Sequence, residues 1–417
     1  MIEYEPLAPP DWQDPYPTYR RLRDEAPVHY AEKMGTWCVS RYADVAAILR
    51  DSKTFSSVSA FEVLIPEEAR RIGPRDALEV MRILYRSRLN PLVLRKGMPP
   101  SVITSDPPQH TRLRAIVNRG FTPARLRAWE LRVQEIVAAC MGKLHRGEPF
   151  DVVRDLAIPL PVTMIAEMLG VDADRHVDFK RWSDELIAGS SGSQRTSFAP
   201  VLKAMGELIM YMRTVADARR RDPREDLISA LVDPGHGDVL DDGTLGQFAV
   251  VLIVAGNETT TNLIGNTVNA LLDRPDVVER VVAEPRLVPG LIEEGLRYDA
   301  PLQFMLRRTT RDCEIADTKI PQGASITLLL GSANRDERQF EEPDRFDPAR
   351  NSKGHLAFGF GIHHCLGAAL ARLEARAAFD ALLPELARSR RMHESPRFVD
   401  SFMVRGLDRL ELQRLPG

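Results

Sequence analysis

The segment 245–272 places the tightest limit on what this chain can fold into. Its apolar residues recur at three- and four-residue spacing, and no proline interrupts them. That pattern is a long helix, and a helix apolar over most of its circumference has to be buried. The same periodicity runs through 126–144, 160–169 and 202–215. Beyond Pro123 the chain is therefore overwhelmingly helical, and the expected class is mainly α with small β-sheets. The longest unbroken apolar run, Phe248 to Ala255, covers only about half of the roughly 18 to 20 residues that span a bilayer. A core helix rather than a membrane helix is expected.

Short strands are expected at 37–40, at 326–330 and in 402–412, where Gly406 could turn a hairpin, with a helix over 42–50. The 417 residues carry 56 basic and 59 acidic side chains, for a net charge of −3, and 44% are hydrophobic. So even a balance leaves no broad field for nucleic acid or an anionic bilayer, and neither is expected as a partner. Mean hydropathy is −0.23, and Met1 to Pro6 lack the basic and apolar character of a secretory leader, which suggests a cytoplasmic protein. Length alone suggests about three domains, yet the chain has no repeat and no linker between domains. The stretch 189–194 reads as a mobile loop. Segment 61–100 is a long insert ending in Pro99-Pro100, a size that usually marks a lid or binding loop.

Four cysteines, Cys38, Cys140, Cys313 and Cys365, are far apart and form no C-x-x-C pair. A disulfide framework and a zinc ribbon are both unsupported. Three of the four read as small buried hydrophobes. Cys365 differs, because it lies in Phe358-Gly359-Phe360-Gly361-Ile362-His363-His364-Cys365-Leu366-Gly367, just before a helical stretch. Three glycines leave room for something bulky to approach the backbone. A helix N-terminus nearby favours thiolate over thiol and makes the sulfur a soft metal ligand. Zinc on His363, His364 and Cys365 is disfavoured, since adjacent side chains do not converge easily on one ion.

These ten residues match every fixed position of F-G-x-G-x-H-x-C-x-G, and here the chain resembles the cytochrome P450 family, the haem-thiolate monooxygenases. Leu370-Ala371-Arg372 extends the match. The resemblance implies one P450 domain over 1–417: a mixed α/β part to about residue 60, then a helical haem-binding remainder, in a triangular prism whose long central helix crosses the haem. It implies haem b with Cys365 as the iron ligand, whose thiolate pushes electron density toward O–O cleavage.

Further motifs agree. Glu294-Gly295-Leu296-Arg297 resembles the family's E-x-x-R, whose i,i+3 side chains share a helix face, and Arg345 resembles the arginine that completes that structural clamp. His110 and Arg114, spaced i,i+4, resemble haem-propionate ligands, as do Arg307 and His363; Phe358 and Gly367 belong to the same cofactor cradle. In Ala255-Gly256-Asn257-Glu258-Thr259, acid and alcohol lie inside an apolar helix, where unpaired polar groups are costly. This resembles the oxygen-activation motif A-G-x-[DE]-T: Ala255 and Gly256 make room for dioxygen, Thr259 hydrogen-bonds it, and Glu258 relays protons. The variable position holds polar Asn257. Val251, Ala255, Leu302, Phe304, Met305, Phe402 and Met403 are expected to line a substrate pocket, roofed by the 61–100 insert and the 186–200 loop.

By the same resemblance the reaction inserts one oxygen atom from O2 into a hydrophobic small molecule, by hydroxylation or epoxidation. Electrons would come from NAD(P)H through a ferredoxin reductase and a ferredoxin, docking on an exposed basic patch at Arg112, with Arg119 and Arg372. A monomer is expected. The rival readings are a peroxide-driven haem peroxygenase, and a non-catalytic haem carrier or gas sensor; the Glu258–Thr259 pair argues against both. The substrate itself is not legible: terpenoid, steroid, fatty acid, macrolide and aromatic compounds all remain open.

Overall fold

The computed structural model describes residues 2–6, 13–60, 82, 100–190, 199–393, 396–399, 401 and 403–415. The expected lid over 61–100 lies outside the described residues except for Arg82 and Pro100, as do residues 191–198 of the expected loops and Phe402. In chain order the helices are α1 (Tyr16–Glu25), α2 (Tyr42–Arg50), α3 (Gln109–Asn118), α4 (Pro123–Cys140), α5 (Gly142–His145), α6 (Pro159–Met168), α7 (His176–Ser190), α8 (Ala199–Arg221), α9 (Leu227–Val232), α10 (Asp242–Leu272), α11 (Pro275–Ala283), α12 (Val288–Tyr298), α13 (Leu330–Ala333) and α14 (Ala368–Leu386). The strands are β1 (Val28–Ala31), β2 (Thr36–Val39), β3 (Phe55–Ser56), β4 (Phe150–Asp151), β5 (Phe304–Thr309), β6 (Cys313–Ile315), β7 (Thr318–Ile320), β8 (Ser325–Leu329), β9 (Ser389–Arg391) and β10 (Glu411–Arg414). The architecture is mainly α with small sheets.

The chain forms two compact units that alternate along the sequence. One comprises Met1–Ser56, Arg127–Pro161 and Glu258–Gly417; the other comprises Ser57–Leu126 and Val162–Asn257. The length-based expectation of three successive domains is not what forms.

In the first unit, five strands run in the order β1-β2-β8-β5-β3. The parallel pair β2–β8 joins Thr36 to Ser325, and β5–β8 is antiparallel with Phe304 opposite Leu329. Residues 1–60 hold α1, α2 and β1 to β3, and those strands complete a sheet whose centre comes from residues 304–329. Thr36 and Thr327 hydroxyls meet at 2.9 Å inside this sheet. That hydrogen bond satisfies two polar groups that would otherwise be buried at a cost. Val45, Ile48 and Leu49 of α2 pack under the sheet with Val39, Ile326, Leu328 and Leu356, as the 3.6-residue period requires.

Near the C-terminus, Val399 N–H donates to the Gly406 carbonyl and Asp408 N–H to the Arg397 carbonyl. Gly406 therefore lies on the returning arm rather than at the turn. It is glycine for another reason: a Cβ there would run into Asn262 Oδ1 of α10.

In the second unit, α8, α9 and the first half of α10 supply a core that includes Leu208, Met212, Leu231, Leu245 and Ala249. The start of α10 is set locally. Asp241 accepts from the Thr244 N–H at 2.9 Å, capping one of the amides that a helix N-terminus leaves open, and from the Thr244 hydroxyl at 2.8 Å. Among the described residues α10 alone is long and apolar enough to cross a membrane, yet 61% of its most apolar window is buried inside the protein. It is longer than the eight-residue apolar run suggested, but burial of its apolar surface makes it a core helix.

Candidate active site

Cys365 is exposed and sits three residues before α14, after a short turn at Gly361–His363. Its N–H donates to the Phe358 carbonyl at 2.9 Å, and His364 N–H donates to the Gly361 carbonyl at 3.1 Å. The glycines divide their labour. Gly359 and Gly361 adopt φ of +68° and +71°, a region costly for side-chain-bearing residues. A Cβ on Gly361 would lie 2.6 Å from the Leu49 carbonyl, so what approaches it is the end of α2 rather than a ligand. Only Gly367 faces open space, with nothing within 4 Å of a Cβ. Of the other cysteines Cys38 is buried, whereas Cys140 and Cys313 are half-buried, not fully enclosed as expected.

In α10, Glu258 and Thr259 are half-buried and Ala255 is exposed, although they occupy the middle of an apolar helix. Burial alone pushes the Glu258 carboxyl up to about 7, which places a protonatable group at neutral pH. Asn257 donates to the Ser183 hydroxyl at 3.2 Å and is buried, so this polar residue is explained by packing in the second unit. Thr261 donates to the Ala157 carbonyl at 2.8 Å.

The residues expected at the propionates divide between the units. His110 is buried and Arg114 half-buried in the second. Burial, reinforced by Arg114, holds the His110 imidazole below its ordinary pKa. Arg307, buried on β5, donates to the Leu306 carbonyl at 2.7 Å, and His363 is half-buried; both belong to the first unit. Among the expected pocket residues, Val251 borders a small apolar hollow in the second unit, beside Val102, Leu113, Val117 and Phe248. Leu302, Met305 and Met403 are half-buried. Phe304 is only 1% exposed. It is the least exposed of the described residues in that set.

The expected clamp forms with one change of partner. Glu294 and Arg297, both without exposed side-chain surface, pair through two contacts of 2.8 Å. Arg345 does not complete the network with its side chain, which is 64% exposed and pairs with Glu342 at 3.1 Å. Its carbonyl accepts from Arg297 at 3.3 Å instead. The second guanidinium on Glu294 is that of Arg350, at 3.4 Å, and Ser352 donates to the same carboxylate at 2.6 Å. The periodicity of a helix reveals an i,i+3 partner, but it carries no information about which residue of a following loop turns inward.

The basic patch expected for docking is also altered. Arg112 meets Asp238 through contacts of 2.5 and 2.9 Å, and Arg119 donates to the Asp238 carbonyl at 2.7 Å. Arg372 grips Glu293 through contacts of 2.6 and 2.9 Å. Neither Asp238 nor Glu293 stood out in the sequence; the adjacent pair Glu293-Glu294 was the one available signal, since only one of two neighbouring acids can face the inward arginine.

The donor set of the Cys365 loop fits haem. Among the described residues no group of three or more His, Cys, Asp or Glu could hold a metal ion by side chains alone. A single exposed cysteine, on a loop where Gly367 has open space around it, suits a metal whose remaining ligands come from a macrocycle. Exposed Phe360 and Ile362 add apolar surface to the same loop.

The family model described as Cytochrome P450 matches residues 192–404. The chain is 37% identical over 413 residues to the vitamin D(3) 25-hydroxylase of Pseudonocardia autotrophica, covering 97% of this chain and 95% of that one. The crystal structure of cytochrome P450 CYP109Q5 from Chondromyces apiculatus superimposes with a TM-score of 0.85 at 38% identity, covering all of both chains. That of CYP109E1 from Bacillus megaterium in complex with testosterone does so with a TM-score of 0.81 at 32% identity, covering 96% and 99%. A glycine-turned cysteine loop, an acid–alcohol pair in a buried helix and near-complete coverage of these relatives lead to one assignment: the chain belongs to the cytochrome P450 family, and is a monooxygenase with thiolate-ligated haem b as cofactor.

Proposed function

We propose that the chain forms a single functional domain around one haem. Cys365 would be its thiolate ligand, His110, Arg114, Arg307 and His363 its propionate ligands, and Phe358, Gly367, Ala255 and Gly256 would shape its pocket. When bound, the haem supplies the redox chemistry that splits dioxygen, with one atom passing to a hydrophobic small molecule by hydroxylation or epoxidation. The chain's own residues manage protons and water: Thr259 offers a hydroxyl at the oxygen site, and Glu258, whose carboxyl burial pushes up to about 7, is the acid that passes a proton toward it. Val251, Leu302, Met305 and Met403 would contact the substrate. Electrons reach the protein from NAD(P)H through a reductase and an acidic ferredoxin, in the cytoplasm.

The observation that carries this reading is the exposed sulfur of Cys365 on its glycine-turned loop. The reduced carbon monoxide complex tests it. The wild type should show the strongly red-shifted Soret band of a thiolate ligand and Cys365→Ser should lose it; a neutral-ligand band in fresh wild-type protein refutes the assignment. Thr259→Ala, assayed with ferredoxin and with peroxide, tests the dioxygen route: it should impair the first far more than the second, and equal effects would favour a peroxygenase. For substrate, spin-state titrations across terpenoids, steroids, fatty acids, macrolides and aromatics should begin with steroids. Similarity to a vitamin D(3) hydroxylase and to a testosterone complex supports that order.

A further inference from the structure

Behind the Cys365 loop lies a charged cluster whose acid and imidazole, Glu293 and His355, belong to none of the family motifs above. Arg372, on the first turns of α14, places its guanidinium 4.6 Å from the centre of the Phe358 ring. Phe358 in turn accepts the Cys365 N–H through its carbonyl, so one residue touches both the cation and the sulfur-bearing backbone. Arg372 is gripped at two points by Glu293. Glu293 is held from its other side by His355, whose ring is buried and 3.2 Å away. The His355 tautomer follows from its neighbours: Nδ1 accepts from the Ala357 N–H at 3.2 Å, leaving Nε2–H to donate to Glu293. Burial alone would raise the Glu293 carboxyl, but hydrogen bonds from Arg372 and His355 bring it down to about 2, so the pair is fully ionised at neutral pH.

We infer that Glu293 is a positioning residue for the haem thiolate: by balancing the Arg372 cation and fixing it against Phe358, it sets how positive a field the Cys365 sulfur experiences, and hence the reduction potential of the haem. The inference rests on Cys365 as the ligand. A cation near a thiolate draws electron density from the sulfur and favours the reduced, more negative haem; a carboxylate does the opposite. With both present the two effects largely cancel.

The test is a redox titration of the holoenzymes with dithionite and mediators at low ionic strength, read at the Soret band, together with the reduced carbon monoxide spectrum. Glu293→Gln leaves Arg372 uncompensated and should raise the potential; Arg372→Gln leaves Glu293 uncompensated and should lower it. Each change should be about tenfold in the one-electron equilibrium, about 59 mV. The double variant, neutral pair for ion pair, should return close to wild type, and added salt should shrink both single shifts. A purely structural role would move both single variants in the same direction, and that result overturns the inference, as does an unchanged potential in both. Should Glu293→Gln fail to retain haem, Arg372→Gln decides alone: a fall supports the inference, and no change or a rise overturns it. The Cys365→Ser spectrum is recorded first. Retention of the red-shifted band there would remove the ligand assignment itself, an outcome separable from flat potentials on a confirmed thiolate.

Discussion

Glu374 gives the sharpest quantitative expectation. It lies in α14, is 2% exposed, and leaves Oε1 buried without a hydrogen-bond partner. Burial raises its carboxyl from the ordinary 4.5 to about 8, with only the Thr260 hydrogen bond opposing. A carboxyl whose folded pKa lies above its unfolded pKa binds its proton more tightly when folded. Below about 4.5 both states hold the proton and the group adds no pH dependence; between 4.5 and 8 the unfolded chain releases it while the folded chain keeps it. Stability should therefore fall through that window as pH rises, by about 1.4 kcal/mol per pH unit and about 5 kcal/mol in all. Glu374→Gln keeps the shape of the protonated acid and removes the titration. Its unfolding free energy relative to wild type should climb with that slope from pH 5 to 8. The assay is guanidinium unfolding followed by far-UV ellipticity at several pH values and constant ionic strength. A fixed cost or gain from the new amide moves the whole difference curve without changing its slope. Parallel wild-type and variant curves across this range would refute the reasoning, since they would mean that Glu374 is ionised in the folded protein.

Turnover at saturating substrate should fall as pH rises through about 7, where Glu258 loses its proton; Glu258→Gln should be about 10²-fold slower and lack that inflection in a pH–rate profile. Gly406→Ala drives a Cβ into Asn262 and should cost about 1–3 kcal/mol in denaturant melts, with much of the loss recovered in an Asn262→Ala background because the two sites share the clash. Arg345→Ala should change stability by less than about 0.5 kcal/mol, since its side chain is largely exposed. Arg297→Ala, which removes two 2.8 Å contacts from a fully buried Glu294 and leaves it Arg350 and Ser352, should cost about 3 kcal/mol by the same melts. Asp238→Asn frees Arg112 from its internal acid, and should tighten binding of an acidic ferredoxin about two- to fivefold in a salt-dependent titration.

The parts of the fold that were legible in the sequence are those encoded locally. The period of 245–272 gave a buried helix because burial of an apolar face is written every three or four residues, and α2, β2 and β8 followed for the same reason. Glu294 and Arg297 were legible because helix geometry alone brings i and i+3 together. The parts not legible depend on chain returning from far away. Sheet partners Thr36 and Ser325, the carbonyl of Leu49 against Gly361, and Asn262 against Gly406 carry no periodic signal. A glycine in a motif can equally mean room for a cofactor, a positive φ or the passage of another strand of backbone, and here Gly367 fits the first while Gly361 needs the second and third.

The same distinction explains why charge was the least readable property. A net charge of −3 from 115 charged Asp, Glu, Lys and Arg residues says nothing about which cations remain available. Arg112 and Arg372 both looked like surface charges suited to an acidic partner. Each instead meets a carboxylate of its own chain, Asp238 and Glu293, and the two pairs differ in kind. The Arg112–Asp238 pair is about half exposed on both sides, where water screens it and an incoming acid can compete for the guanidinium. Glu293 is only 21% exposed and is braced by His355, so Arg372 cannot exchange it for an external partner without leaving a poorly solvated carboxylate. Of the two arginines, then, Arg112 is the one an external acidic group can reach, and Arg372 is committed to Glu293. Docking strength and haem potential should therefore respond to separate substitutions: Asp238→Asn should leave the potential unchanged, and Glu293→Gln should change it at any ferredoxin concentration.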